Sequence, residues 1–258
     1  MKSSHRYGYA AWYYHVINIF TYMIYCLCKP FKRKIVSSEI VPSPLLITGL
    51  FRSGTTITAR LVQTMGYQSG PESHLLQAIG KRKHLNPNGF LEDYFFMECT
   101  LAVFAKTNSW GDAPPDKNTL KQFDLRQLNQ NEIVKFSLLQ IHDDRISNYN
   151  KLKVLLSGEF NHPEGYLKRF YTDRSFIKNP HFAVLMPVLE SIFSKSNILV
   201  VFKEPAKAIL SAKKVSSALD FNLYLDYYKD LVERHKSGCN KIMFFSYESL
   251  ILNTSKSI

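Results

Sequence analysis

Residues 45–48 (LLIT) run without a break into Gly49-Leu50-Phe51-Arg52-Ser53-Gly54-Thr55-Thr56, and a helical pattern continues to about residue 65. This order constrains the chain more than any other feature. A short apolar run ended by glycine has strand character, and the apolar positions after Gly54 recur at helical spacing. Strand, glycine-containing turn and helix make the first part of a βαβ unit, which is completed by a parallel strand. Further strand signals stand at 175–178, 197–202 and 241–245, with helical stretches at about 181–194, 205–217 and 221–236. Such alternation predicts an α/β fold: a mainly parallel central sheet between helical layers, with ligands at the carboxyl ends of the strands. Residues 69–150 form a mostly helical insertion, with apolar periodicity at 75–79, 91–104 and 125–141. Asn86-Pro87-Asn88-Gly89 and Ala113-Pro114-Pro115-Asp116 read as turns, and 153–156 fits either a strand or a helix end.

The loop has the frame G-x-x-x-x-G-x-T, which places the fold in the P-loop-like, three-layer class. A nucleotide triphosphatase loop carries lysine at position 55, to reach the β- and γ-phosphates; this chain has Thr55. The glycines still let backbone approach an anion. The N–H groups of residues 53–56 stand at a helix N-terminus, where the dipole favours negative charge. Thr55 and Thr56 add hydroxyl donors, and Arg52 supplies a cation from another position. The loop suits a phosphate but not hydrolysis of a magnesium-bound triphosphate.

Arg52-Ser53-Gly54-Thr55-Thr56 after an apolar strand resembles the 5′-phosphosulfate-binding loop of sulfotransferases that use 3′-phosphoadenylyl sulfate (PAPS). The pattern is similar to that of protein-tyrosine sulfotransferases and related carbohydrate and bacterial enzymes. It spans roughly residues 45–250 and is recognisable at 45–80 and 175–215; the middle third lacks it. The resemblance implies PAPS as co-substrate, no metal, and Arg52, Ser53, Gly54, Thr55 and Thr56 as donor-binding residues.

Lys203-Glu204-Pro205 ends one strand signal and starts a helix, with Ser211 eight residues on. Eight residues are about two helical turns, so a strand-end cation and a helix hydroxyl can converge on one anion. In the family this place is R-D-P…S and holds the donor's 3′-phosphate, which implies that role for Lys203 and Ser211. Lysine lacks the bidentate fork of arginine. Ile177-Lys178-Asn179-Pro180 resembles the family's K-D-P segment, and 25 residues separate Lys178 from Lys203, as in the tyrosine sulfotransferases. Lys178 is thereby implied to point into the donor site, with Asn179 replacing the usual acid.

Gly70-Pro71-Glu72-Ser73-His74 is similar to the family's G-E-E-T-R segment, whose second glutamate is the catalytic base; that residue matches Glu72. An acceptor hydroxyl attacking sulfur loses its proton, and a carboxylate within hydrogen-bond reach can take it. Partial burial suits a carboxylate to that work near neutral pH. His74 falls where the family has arginine and is the alternative base. The catalytic set implied is Glu72, Arg52 and Lys178. His142-Asp143-Asp144 reads as the end of a solvated helix rather than a cation site.

The net charge of +12 favours an anionic partner: a nucleotide, a polyanion or an anionic membrane. The cations are spread along the chain without a nucleic-acid-binding signature, so nucleic acid is not expected. Cys26, Cys28, Cys99 and Cys239 are too few and scattered for a disulfide framework, which suits a reducing compartment. Residues 7–28 carry no formal charge and are flanked by Lys2 and Arg6 before, and Lys29, Lys32, Arg33 and Lys34 after. The run is long enough to cross a bilayer. Its aromatic composition, and a more polar face through His15, Asn18, Tyr22 and Tyr25, fit a helix lying in the interface at least as well. If it crosses, the cluster at 29–34 keeps the remaining chain cytoplasmic; a eukaryotic origin would place the domain in the Golgi lumen.

The expected organisation is a membrane-associated helix with its basic flank at 1–34, a linker at 35–44, and a sulfotransferase domain at 45–258. Tyr247-Glu248-Ser249-Leu250 resembles the family's Y-E-D-L, after which members continue with helices; this chain stops at Ile258 and fits a short member or a fragment. Three readings follow: a sulfotransferase acting on a hydroxyl of a glycan, glycolipid or other acceptor; another P-loop transferase such as a nucleotide or metabolite kinase; or a non-catalytic, membrane-associated nucleotide-binding module.

Overall fold

The computed structural model describes residues 12–31, 40–50, 52–79, 86–109, 113–140, 145–189, 192–213, 221–238 and 241–249. The chain divides into two units, one of residues 1–42, 70–103 and 124–171, the other of residues 43–69, 104–123 and 172–258.

The second unit carries the sheet. Strands β1 (Leu45–Thr48), β2 (Phe176–Lys178), β3 (Ile198–Phe202) and β4 (Ile242–Ser246) lie in the order β2-β1-β3-β4. All pairs are parallel, with Ile47 opposite Lys178 and Leu199, and Phe202 opposite Ser246. Leu46, Ile47 and Thr48 are fully buried, as expected for an inner parallel strand that reads as a continuous apolar run. The chain moves one way from β1 to β2 and the other way from β2 to β3 and β4. Right-handed crossovers therefore put the connecting helices on opposite faces, and the order reverses between β1 and β3. This is the α/β, P-loop-like architecture expected.

Helix α2 (Thr55–Thr64) follows the loop after β1 and turns Thr55, Thr58, Ala59 and Val62 inward, the spacing of one helical face. Gly66 ends it in the left-handed conformation, its N–H bonding the Gln63 carbonyl. Helices α8 (Phe182–Leu189) and α10 (Phe221–Lys236) also belong to this unit. Residues 181–194 thus hold a helix shorter than the sequence suggested. Helix α9 runs Pro205–Lys213, and the rest of the expected 205–217 stretch lies outside the described residues.

The first unit is helical. Helix α1 (Trp12–Cys28) packs on α6 (Asn148–Ser157), which decides 153–156 in favour of helix. Helix α3 (Tyr94–Lys106) starts in this unit and α7 (Pro163–Phe170) lies in it, whereas α4 (Lys117–Lys121) belongs to the other. Two expectations fail here. Residues 75–79 form no helix: Leu75 is extended, and Leu76 donates to the Glu92 carbonyl at 2.8 Å and accepts from Phe90 at 3.1 Å. This pairing, with Leu75 and Leu76 buried, overrides a short helical period. Residues 125–141 are not one helix but a 3₁₀ turn (Leu125–Gln127), helix α5 (Gln130–Lys135) and a π turn (Phe136–Gln140). Asp124 and Asn129 each cap a new start, their side chains accepting from Arg126 and from Asn131 and Glu132. His142-Asp143-Asp144 lies outside the described residues.

Candidate functional site

The loop after β1 is held against β3 by backbone approach. Gly49 has φ +152°, and a Cβ there would lie 2.2 Å from the Val201 carbonyl oxygen. Only glycine fits. Ser53 then turns back on the loop: its N–H donates to the Leu50 carbonyl at 3.0 Å, and its hydroxyl to the Leu50 and Val201 carbonyls at 2.5 and 3.1 Å. Ser53 is fully buried. Both its donors are engaged by carbonyls, and this closes the loop. Between them the chain exposes Arg52, at φ 72°. A non-glycine residue in the left-handed region costs about 1 kcal/mol or more, and the closed turn around it sustains that conformation.

Gly54 (φ 96°) precedes α2 with no side-chain cap. The first amides of a helix have no intrahelical acceptor, and the dipole there favours anions. Thr56 is half-buried in that turn, whereas Thr55 is buried with its methyl group against Gly49.

The next two strands, β3 and β4, complete the setting. A Cβ on Gly54 would lie 2.3 Å from the Tyr247 ring. Lys203, just past β3, holds its ammonium 5.1 Å from the centre of the same ring. The ends of β1, β3 and β4 therefore meet on one tyrosine. Glu248 fixes the next step: it accepts from the Glu204 N–H at 3.0 Å and from the Ser246 hydroxyl at 3.2 Å. The first of these bonds holds its carboxyl below the usual range. Ser211 sits half-buried, two turns into α9.

Lys178 ends β2 and is buried. Asn179 donates its N–H to the Ile47 carbonyl at 3.0 Å, and its side-chain oxygen accepts from His181 at 2.9 Å. The residue that replaces the family's acid thus serves as a turn cap ahead of α8. Thr48 ties β1 to the same turn, accepting from Ala183 at 2.9 Å and donating to Pro180 at 3.2 Å.

Glu72 and His74 lie in the other unit, on the 3₁₀ turn Glu72–His74. This single turn stands where a helix was expected to open. The Glu72 side chain is exposed rather than partly buried. His74 is fully enclosed. Its Nδ1 is 2.7 Å from the Tyr166 hydroxyl, and Phe170 packs edge-on at 4.8 Å. Burial, then Lys153 and Arg169, lower its pKa to about 4. Tyr166 and Tyr171 both donate to Asp93, at 2.9 and 2.6 Å, and the Phe95 N–H adds a third bond. Burial raises Asp93 to about 6, against the pull of these donors. Above that pH Asp93 is a carboxylate and accepts the hydrogen bond that Tyr166 donates. His74 must then donate through Nδ1, which leaves the proton off Nε2. Nε2 is buried without a hydrogen bond among the described residues. This enclosure argues against His74 as the alternative base.

Arg52, Gly54 and Lys203 thus stand at neighbouring strand ends of one unit, Lys178 ends the strand on the other side of β1, and Ser211 lies on the helix after β3. Sequence reasoning missed that Tyr247 joins the motifs, and it missed the Asp93 group altogether. The first had a signal in Tyr247 beside Glu248 at the end of the last strand. Among the described residues no cluster of three or more histidine, cysteine, aspartate or glutamate side chains could hold a metal ion.

Two solved sulfotransferase structures are similar to the chain. Sulfotransferase STF9 from Mycobacterium avium is 15% identical, with a TM-score of 0.39 over 88% of this chain and 63% of that one. Sulfotransferase STF1 from Mycobacterium tuberculosis H37Rv is 13% identical, with a TM-score of 0.37 over 95% of this chain and 72% of that one. The chain spans less than two thirds of the length of the first. No protein-family model matches it, and no curated protein does.

Proposed function

We propose that this protein transfers a sulfuryl group from PAPS to a hydroxyl acceptor, a glycan or glycolipid in first place. The observation that carries the reading is the loop after β1, set against β3: a glycine-only backbone approach, an exposed arginine and a helix N-terminus without a side-chain cap. Lys203 adds a second cation at the next strand end, over a tyrosine that also touches the loop. The site at which a parallel sheet reverses its order is where such folds bind ligands. A kinase-type loop is disfavoured, since position 55 is a buried threonine rather than a lysine reaching out to phosphate.

In this reading the α2 amides, Gly54, Thr55 and Thr56 bind the 5′-phosphosulfate, with Ser53 bracing the loop, and Lys203 and Ser211 bind the 3′-phosphate. The acceptor oxygen attacks sulfur and forms the new S–O bond as the bond to the phosphate oxygen breaks. Arg52 and Lys178 neutralise charge developing on that oxygen and on the sulfuryl group, and Glu72 takes the acceptor proton. Catalysis of this kind is positioning and charge stabilisation, as in phosphoryl transfer, and needs no metal.

The test is calorimetric titration with adenosine 3′,5′-bisphosphate, with ATP plus magnesium and 5′-AMP as comparisons, followed by turnover of labelled PAPS over acceptor panels. The expected result is binding that requires the 3′-phosphate. Glu72→Gln should then keep donor affinity and lose at least about a hundredfold in turnover. Tighter binding of ATP would overturn the reading in favour of a kinase; donor binding without turnover on any acceptor would favour a non-catalytic module.

A further inference from the structure

Helix α1 is mounted inside out. At about 100° per residue, Val16, Phe20, Met23 and Leu27 fall within roughly 60° of one another, with Ile19 and Ile24 beside them. All six are exposed, Phe20 at 60% and Leu27 at 71%. The opposite face holds Asn18, Thr21 and Tyr25, and these are buried. Asn18 and Tyr25 are tied down by polar contacts within the same unit: Asn148 donates to Asn18 at 3.1 Å, and Gln130 reaches the Tyr25 hydroxyl at 3.5 Å. Asn18 and Tyr25 of the polar face are thus spent on the protein, and the apolar stripe is turned outward. An ordinary surface helix does the reverse, and contiguous exposed apolar patches mark interaction sites.

We propose that this stripe is a docking face for an anionic lipid bilayer, with α1 lying in the interface. Charge selects this occupant. Before Glu39 the sequence contains Lys2, Arg6, Lys29, Lys32, Arg33 and Lys34 and no aspartate or glutamate. Lys29 donates to the neutral amide oxygen of Asn131 at 2.7 Å, and this partner carries no opposing charge. Basic residues flanking an apolar helical face are the composition that anionic headgroups attract. A second copy of this chain would bring the same cations against the same cations. The helix has 17 residues, about 25 Å at 1.5 Å per residue, and among the described residues no helix is long and apolar enough to cross a membrane. An apolar stripe exposed on one side, with the opposite side packed on the protein, suits a helix lying along the bilayer surface, and it does not depend on the reaction proposed above.

The experiment is flotation of the full chain with vesicles of phosphatidylcholine alone and of phosphatidylcholine with phosphatidylserine, at low and high salt. The chain should float with the phosphatidylserine vesicles, and less so at high salt. Phe20→Asp with Leu27→Asp should lower the partition at least about tenfold, and Lys32, Arg33 and Lys34 changed to Gln by about two orders of magnitude. Phe20 and Leu27 are exposed, so unchanged thermal unfolding should show that the variants fold. The salt dependence of the unmodified chain tests the idea without any variant. An unbound chain, equal binding of the variants, or a dimer by light scattering that Phe20→Asp converts to monomer would each overturn the proposal.

Discussion

The loop after β1 and the group around Asp93 both gather polar atoms at short range, yet they treat charge in opposite ways. At the loop, hydroxyl and amide of Ser53 are consumed internally, and this leaves Arg52 exposed and Lys203 half-buried over Tyr247. Around Asp93 every polar head points inward. The carboxylate is buried under two tyrosine hydroxyls and a backbone amide, and His74 closes the chain on the same Tyr166 hydroxyl. A Cβ on Gly70 would sit 2.4 Å from the Tyr171 hydroxyl and 2.9 Å from Asp93, so even the glycine of the 70–74 turn is shaped to this group. Perturbed titration and close packing point first to the Asp93 group as a reactive centre. Access decides otherwise: the perturbed groups brace a core, and the exposed Arg52 and half-buried Lys203 are those a ligand can reach.

The sharpest way to break that contrast is at the glycines. Gly49→Ala adds a Cβ against a backbone carbonyl that cannot swing away, at a φ that other residues avoid. Strain and overpacking together give about 4 kcal/mol of lost stability, read from urea unfolding. Gly54→Ala meets only the ring of Tyr247, which can rotate. It should cost about half as much while displacing the ring that supports Lys203. Equal costs at the two positions would mean that the loop is not anchored on β3 as described.

The buried group makes an opposed pair of pH predictions. His74 has a folded value of about 4, below its ordinary 6.5. As pH falls through that window the unfolded chain takes the proton first, so stability is lost. Asp93 has a folded value of about 6, above its ordinary 3.8. There the folded chain takes the proton first, so stability is gained as pH falls. Each contribution amounts to about 3 kcal/mol at its limit, and in the parent they offset one another between about pH 4 and 6. Asp93→Asn should therefore add a loss of stability on acidification, and His74→Gln should add a gain, each relative to the parent in urea midpoints stepped through that range. Two variants with slopes of the same sign would show that the two groups do not titrate as their burial requires.

The same contrast explains what was legible in the sequence. Residues 45–56, the strand signals and the parallel order were readable because a glycine-interrupted strand-to-helix turn is local: its periods and its breakers lie within a dozen residues. The Asp93 group was not, since His74, Asp93, Tyr166 and Tyr171 are brought together only by packing across almost a hundred residues. An acid at the head of an apolar helix was its one outward sign. Residues 75–79 misled for a related reason. Their helical period was real, but Leu76 found backbone partners at Phe90 and Glu92, and long-range pairing outweighs a period of five residues. At α1 the polar and apolar faces were visible in advance; which of them would face the protein was not, because that depends on Asn148 and Gln130 far along the chain.

The smallest effect is the most informative about the loop side. Lys203 has its ammonium over the Tyr247 ring, a contact worth about 0.5–1 kcal/mol at a partly exposed position. Lys203→Ala removes that contact and leaves the sheet and loop carbonyls untouched, so stability should change by less than about 1 kcal/mol. Binding is where the loss should appear. A charge-assisted bond to a phosphate contributes about 1.5 kcal/mol, so affinity for adenosine 3′,5′-bisphosphate should fall about tenfold while affinity for 5′-AMP, which lacks the 3′-phosphate, stays level. Lys203→Arg, able to offer two parallel donors, should restore or exceed the parent affinity. An equal loss for both nucleotides would mean that Lys203 acts by propping Tyr247 against Gly54, and the division between a ligand-facing loop and a structural core would then have to be redrawn to put this lysine on the structural side.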